Sequence, residues 1–143
     1  MITRVKQVKT LEELTQAFTI RKAVFVKEQG ISEKLDFDTY DPQAFHILVY
    51  HGENPIATGR LHMENKQGHI SRVAVLKEFR GKGLGRLVVE HMEKLAIEKG
   101  MTSVFLYPHD YLKKFYTELG YCEVPDSKFW LGQHTLIKMT KNL

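Results

Sequence analysis

The segment Val73-Ala74-Val75-Leu76-Lys77-Glu78-Phe79-Arg80-Gly81-Lys82-Gly83-Leu84-Gly85-Arg86 constrains the chain more than any other. A β-branched run leads into a loop with glycines at 81, 83 and 85, and an amphipathic run follows. That pattern reads as strand, loop and helix. Without Cβ atoms the loop backbone can turn several N–H groups toward one point and approach a ligand closely. Those donors sit at a helix N-terminus, where unpaired N–H groups and the helix dipole favour an anion. Arg80, Lys82 and Arg86 add full positive charge, so a pyrophosphate is the natural guest. The Walker pattern is excluded because no Lys-Ser/Thr pair follows the glycines. The dinucleotide fingerprint fits poorly, since Gly85 comes one place early and Arg86 holds the final glycine position.

Short elements are expected on both sides of this loop. Ile2–Val8 reads as a strand. Thr10 with Glu13 forms a capping box, and Leu11, Leu14, Phe18, Arg21 and Phe25 carry a helix to about Phe25. Residues 28–41 read as loop or irregular helix. Ala44–Tyr50, Ile56–Met63 and His69–Val75 read as three strands joined by turns. Leu84–Lys99 is a helix, Ser103–Tyr107 a buried strand, Asp110–Leu119 a short helix, and Tyr121–Val124 and His134–Met139 closing strands. The order β-α-β-β-β-α-β-α-β-β predicts an α/β class fold, an α+β mixed sheet, in one domain over 1–143. With 43% hydrophobic and 27% charged residues, a chain of 143 builds one core without metal or disulfide help.

Composition removes several other classes. Cys122 stands alone, which excludes a disulfide framework and a multi-cysteine metal site within the chain, so no metal is expected. Cys122 and Trp130 read as packing residues, with Trp130 in the core or over a pocket. No apolar run approaches the roughly 18 residues of a membrane span. The start, MITRVKQVKT, lacks the apolar stretch of a secretory leader, so a cytoplasmic protein is expected. The net charge of +4 is mild, and its distribution matters more. Residues 28–41 are acidic, whereas the basic residues 72–86 share one segment with the glycines. That clustering argues against a nucleic-acid partner, whose basic contacts would spread over a face. The acidic stretch reads as a solvated loop or as an attractant for a cationic amine.

Three segments together resemble the GNAT N-acetyltransferase superfamily. Arg80–Gly85 is similar to its Gln/Arg-x-x-Gly-x-Gly/Ala motif. Phe115-Tyr116-Thr117-Glu118-Leu119-Gly120-Tyr121 is similar to its Phe-Tyr-x-x-x-Gly-Phe/Tyr motif. Arg21–Gln29, followed by Asp36 and Asp38, resembles a small stand-alone bacterial branch, the YjcF-like and ElaA-like acetyltransferases. The resemblance implies a GNAT-like acyl-CoA N-acyltransferase fold, a central and mostly antiparallel sheet flanked by helices. It also implies transfer of the acetyl group of acetyl-CoA, by direct attack, to a primary amine of a small molecule or peptide. Two neighbouring strands would splay apart, and the backbone of Val73, Ala74 and Val75 would pair with the pantetheine arm like an extra strand. Residues Arg80, Gly81, Lys82, Gly83, Leu84, Gly85 and Arg86 would hold the pyrophosphate.

Residue roles follow from the same resemblance. Tyr116 matches the general acid that returns a proton to the leaving thiolate, and it would also touch the cofactor. His109 stands where family members carry an asparagine that contacts the cofactor arm. Related sequences carry a glutamate where this chain has Ser71, which cannot act as a base. The candidates left for that role are Glu28, His46, His62 and His69, and an amine that arrives deprotonated needs none of them. Glu28 and Arg60 are candidate substrate contacts, Arg60 for a substrate carboxylate or as partner to a nearby acid. The competing reading is a CoA-binding or sensing module without turnover, and a homodimer is the default assembly.

Overall fold

A computed structural model describes residues 1–143. Strand β1 (Arg4–Gln7) leads to helix α1 (Leu11–Arg21), which continues as a π-helical segment over Lys22–Glu28. A single-turn helix α2 (Glu33–Asp36) precedes strands β2 (Phe45–His51), β3 (Asn54–Glu64) and β4 (Gln67–Val75). Helix α3 (Leu84–Glu98), strand β5 (Ser103–Leu106), helix α4 (Lys113–Glu118) and strand β6 (Cys122–Glu123) follow. Strands β7 (Phe129–Leu131), β8 (His134–Leu136) and β9 (Met139–Asn142) complete the chain. Seven strands form one sheet in the order β1-β2-β3-β4-β5-β9-β6. All its pairs are antiparallel except β4–β5.

Helices cover both faces of this sheet, and β2 shows why its sequence is a nearly continuous apolar run. Ile47 and Val49 face the cluster that contains Val88 and Met92 of α3. Leu48 and Tyr50 face the cluster that contains Ala17 and Ile20 of α1. With alternate side chains buried on opposite faces, no polar alternation survives in the strand. Helix α1 starts where its capping box places it: Glu13 N–H donates to Thr10 Oγ1 at 3.1 Å, and Thr10 N–H donates to Glu13 Oε1 at 3.0 Å. Its buried face is not the expected stripe. Ala17, Ile20, Arg21 and Val24 are buried, while Leu11 is 80% exposed. The small Ala17 lets the helix lie close against β2, and the π-helical winding then rotates Val24 inward.

Gly59 of β3 sets how closely α3 can approach. A Cβ there would lie 2.5 Å from Val88 Cγ1 and 3.2 Å from Met92 Cε. Gly59→Ala is therefore expected to destabilise the fold by about 1–3 kcal/mol, the usual range for an overpacked core. A lower urea midpoint with unchanged slope would show it.

The C-terminal region departs most from the expected pattern. The single strand expected over His134–Met139 is divided: β8 pairs with β7 in a separate hairpin, and β9 inserts between β5 and β6. Ser127 holds the crossover between them, accepting from Lys138 N–H at 3.0 Å. Cys122 is exposed rather than packed, because Tyr121 takes the inward position beside it. Trp130 is 70% exposed, whereas its hairpin neighbours Phe129 and Leu131 border a cavity between β4 and β5.

Candidate active site

The parallel pair β4–β5 is joined only at its start, through Gln67 with Ser103, Gly68 with Val104 and His69 with Phe105. Beyond His69 the two strands separate. Pro108 lacks an N–H and cannot extend the ladder. The chain after β5 turns instead to the hairpin, with Ile137 N–H donating to Pro108 O at 3.0 Å and His109 bridging to Leu136. On the other side β4 carries a bulge. Thr58 opposes Ala74 and Arg60 opposes Ser71, so Arg72 and Val73 together face Gly59 alone. Arg72 has φ 54°, a left-handed conformation that costs a residue with a side chain about 1–2 kcal/mol. A bulge bends its strand and is common beside active sites.

The separated strands open a cavity of about 280 Å³. Ile70–Val73 and Leu106–His109 form its two sides, and Tyr116 closes one end. Phe25, Ile31, Leu35, Leu112, Phe129, Leu131 and Leu136 add apolar wall, and Gln29 and His134 add polar groups. Tyr116 is 6% exposed, with its ring edge-on to Phe115 at 4.9 Å and to Tyr121 at 5.7 Å. Burial pushes its phenol up to about 12, so it is protonated throughout the neutral range.

The glycine loop lies past the end of β4. Gly81 and Gly83 have φ 77° and 79°, and Gly83 is the N-cap of α3. Leu87 makes the first helical bond, its N–H donating to Gly83 O at 3.1 Å. The N–H groups of residues 81–86 thus precede the helical ladder, as expected of a helix start without a side-chain cap. Lys82 is exposed, and Arg86 pairs with Glu90 at 3.2 Å.

The structure redirects several candidate residues. Glu28 makes a two-pronged ion pair with Arg80, at 2.6 and 2.8 Å, and lies outside the cavity wall. The Arg80 hydrogen bond holds its carboxyl below the usual range, which makes it a poor base. Arg60 is 1% exposed and faces protein carboxylates, at 2.7 Å from Asp38 Oδ1 and 3.0 Å from Asp41 Oδ1, so it has no free edge for a substrate carboxylate. His46 donates from Nε2 to Asp41 O at 3.0 Å, and His62 stacks against Tyr40 with ring centroids 4.2 Å apart. Neither borders the cavity. His69 does, stacked 4.8 Å from Phe105. Burial, helped by the charges of Arg60 and Arg72, lowers it to about 4, so its imidazole is neutral and weakly basic at pH 7.

Within the acidic stretch Glu28 and Glu33 stay exposed, whereas Asp36, Asp38 and Asp41 turn into the protein and pair with arginines. Arg21 grips Asp41 through Nη1 at 2.7 Å and Nη2 at 3.1 Å. Arg72 reaches Leu35 O at 2.9 Å, Asp36 O at 3.0 Å and Asp38 Oδ2 at 3.1 Å. Three aspartates and three arginines close this network behind the bulge, and its contacts hold Arg72 in its left-handed conformation. Burial raises the Asp36 carboxyl, and Arg21 and Arg72 offset only part of that.

Three contributors escaped the sequence reading: the Arg72 bulge, His134 and Gln29. His134 donates from Nε2 to Gln29 O at 3.0 Å, and His109 Nε2 lies 3.2 Å from Gln29 Oε1. These bonds tie the hairpin and the π-helical segment together across the cavity. No local pattern announces them, because their partners are separated by 80 and 105 positions.

The chain resembles known proteins over its whole length. The acetyltransferase (GNAT) family model matches residues 10–121. YyaT of Bacillus subtilis is 35% identical over 142 residues, 97% of this chain and 95% of the relative. YjcF of the same organism, named as an N-acetyltransferase, is 34% identical over 121 residues, 85% and 86% of the two chains. A crystallised N-acetyltransferase candidate from Lactobacillus plantarum superposes with a TM-score of 0.91 at 27% identity, covering 100% of this chain and 99% of that one. With the strand separation and the glycine loop in place, the family match explains both, and the chain belongs to the acetyltransferase (GNAT) family, whose members draw acyl groups from CoA thioesters.

Proposed function

We propose that this protein transfers the acetyl group of acetyl-CoA to a primary amine by direct attack, without an acyl-enzyme. The observation that carries this reading is the opening of β4 from β5 beyond His69, in a strand that ends at Val75 and is followed by the glycine loop of residues 81–86. The unpaired edge of β4 at Val73, Ala74 and Val75 suits an extended amide-bearing arm, and the loop from Arg80 to Arg86 suits a diphosphate. Lys82 and Arg86 supply charge beside it, while Arg80 serves mainly to hold the loop against Glu28. His109 contributes a wall of the arm's channel.

In the reaction the amine nitrogen forms a bond to the thioester carbon, and the carbon–sulfur bond breaks with its electron pair moving to sulfur. Tyr116 O–H provides the proton that sulfur gains, the nitrogen gives up its own to solvent, and the Tyr116 phenolate takes one back from solvent before the next turnover. The bulge at Arg72 and Val73 frees strand N–H groups from β3, and one of them near Val73 polarises the carbonyl as negative charge develops on its oxygen. The one carboxylate that borders the cavity, Asp36, is buried and ion-paired with Arg21 and Arg72, so the amine reacts in the form that enters neutral. Holding both reactants in line supplies much of the acceleration.

Acetyl-CoA is expected to raise the melting temperature, and incubation with a panel of primary amines is expected to release free CoA with a matching +acetyl mass on the amine. Heat protection with no product from any amine would favour a CoA-binding module. Absence of protection would overturn the reading.

A further inference from the structure

The cavity has a chemical bias that the family assignment does not contain. Apart from the strand edges and Tyr116, its walls come from separate elements and are mostly apolar: Phe25 from the π-helical segment, Ile31 and Leu35 from the region around α2, and Phe129 and Leu131 from the hairpin, while the polar Gln29 and His134 are bonded to each other. Two formally charged residues border it, Asp36 and Arg72, and each is already engaged. Arg72 Nε lies 3.2 Å from Asp36 Oδ1, and Arg72 donates to Leu35 O and Asp38 as well. Both Asp36 carboxylate oxygens are sealed from solvent and are held by ion pairs rather than hydrogen bonds, with Arg21 Nε 3.5 Å from Oδ2. Ser71 Oγ is taken by Arg60 Nε at 3.0 Å. His69 and His109 are held below the ordinary histidine range by burial, so neither presents a cation at pH 7.

An acceptor with a second ammonium would therefore find no free carboxylate, and one with a carboxylate no free guanidinium. A charge buried without a partner is strongly disfavoured. A sugar amine would bring several hydroxyls to walls where Ser71, Gln29, His109 and His134 are already bonded within the protein. The space also limits size, because about 280 Å³ must hold the reacting end of the thioester as well as the amine. An aromatic or branched apolar body meets Phe25, Leu35, Phe129 and Leu131 on matching terms.

We infer that the acceptor is a small monoamine on an apolar body, of the arylalkylamine kind, rather than a polyamine, an amino acid or an aminosugar. This inference rests on the acetyl-transfer reading above and narrows the substrate class of the same cavity. The entering amine sheds its proton more readily there, since desolvation disfavours the ammonium form.

The test compares three acceptors at saturating acetyl-CoA: 2-phenylethylamine, phenylalanine, which adds a carboxylate to the same body, and 1,4-diaminobutane, which exchanges the ring for a second amine. Thiol release is expected to give 2-phenylethylamine a kcat/KM about 10²-fold or more above either of the others, the scale set when a buried charge or polar group lacks its partner. Phe129→Glu, at a half-open position of the hairpin, is expected to shift that ratio at least about 10-fold toward 1,4-diaminobutane by providing the missing carboxylate. Circular dichroism and retained acetyl-CoA protection confirm that the variant is folded. If Phe129→Glu does not fold, Leu131→Asp serves in its place. Equal or better use of 1,4-diaminobutane or phenylalanine by the unaltered protein overturns the inference and leaves the acetyl-transfer reading intact. The same holds if another amine is acetylated but 2-phenylethylamine is not. No protection by acetyl-CoA and no thiol release with any amine overturns both.

Discussion

Asp41→Asn is expected to destabilise the protein by about 3–5 kcal/mol, the range for breaking a buried ion pair from one side. Asp41 is 6% exposed and accepts from two guanidinium groups at once, Arg21 and Arg60, as well as from Asp38 N–H at 3.0 Å. Asparagine keeps the shape but removes the charge and turns an N–H₂ toward one arginine. The melting temperature would fall by roughly 10–20 °C, and a loss of under about 1 kcal/mol would show that the network is dispensable. Arg60→Met in the same chain is expected to recover part of the loss, because it removes one of the uncompensated cations.

The same residue gives the fold an acid limit. Burial alone would raise the Asp41 carboxyl, but the bonds and charges of Arg21 and Arg60 outweigh it and hold it at about 2. A carboxyl lowered on folding contributes stability above its unfolded pKa of about 3.9, and that contribution is lost as pH falls from there toward 2. Asp36 works in the opposite sense. Its carboxyl is raised, so it is protonated first on acidification, and taking up that proton favours the folded state. Acid unfolding is thus expected to begin below about pH 4, and Asp41→Asn should lose the Asp41 part of that pH dependence. Urea midpoints from pH 2 to 7 would reveal it.

Tyr116→Phe is expected to lower kcat for acetyl transfer roughly 10²–10⁴-fold, the usual contribution of a positioned general acid. Phenylalanine preserves the edge-on packing against Phe115 and Tyr121, so the fold should survive. An interaction made only as sulfur departs lowers kcat and kcat/KM together, and binding of acetyl-CoA should change little. With the phenol pushed up to about 12, Tyr116 itself should cause no fall in rate between pH 7 and 10. Loss of acetyl-CoA binding in step with the rate would instead assign Tyr116 a packing role.

The glycine loop, the capping box at Thr10 and the long helix after Gly83 were all legible because each is a local event. Positive φ at Gly81 and Gly83, or a threonine three places before a glutamate, is encoded within one turn of chain. The sequence of strands before the loop was legible for the same reason, as β2 to β4 are antiparallel neighbours joined by short turns. His134–Met139 was misjudged because apolar spacing shows that a segment is extended and not which neighbour it joins, and here it joins two.

What the amino-acid order alone determined is where the backbone must turn, start a helix and leave its N–H groups unpaired, and with that the family. Only the tertiary structure decided what the charged residues do. Arg60 stands in an apolar strand and Asp38 in an acidic stretch, 22 positions apart, and nothing local matches one to the other. Folding brings them together with Arg21, Arg72, Asp36 and Asp41, pairs their charges inside the protein and leaves the cavity beside them mostly apolar. Charge pairing depends on through-space neighbours, whereas backbone conformation depends on adjacent residues.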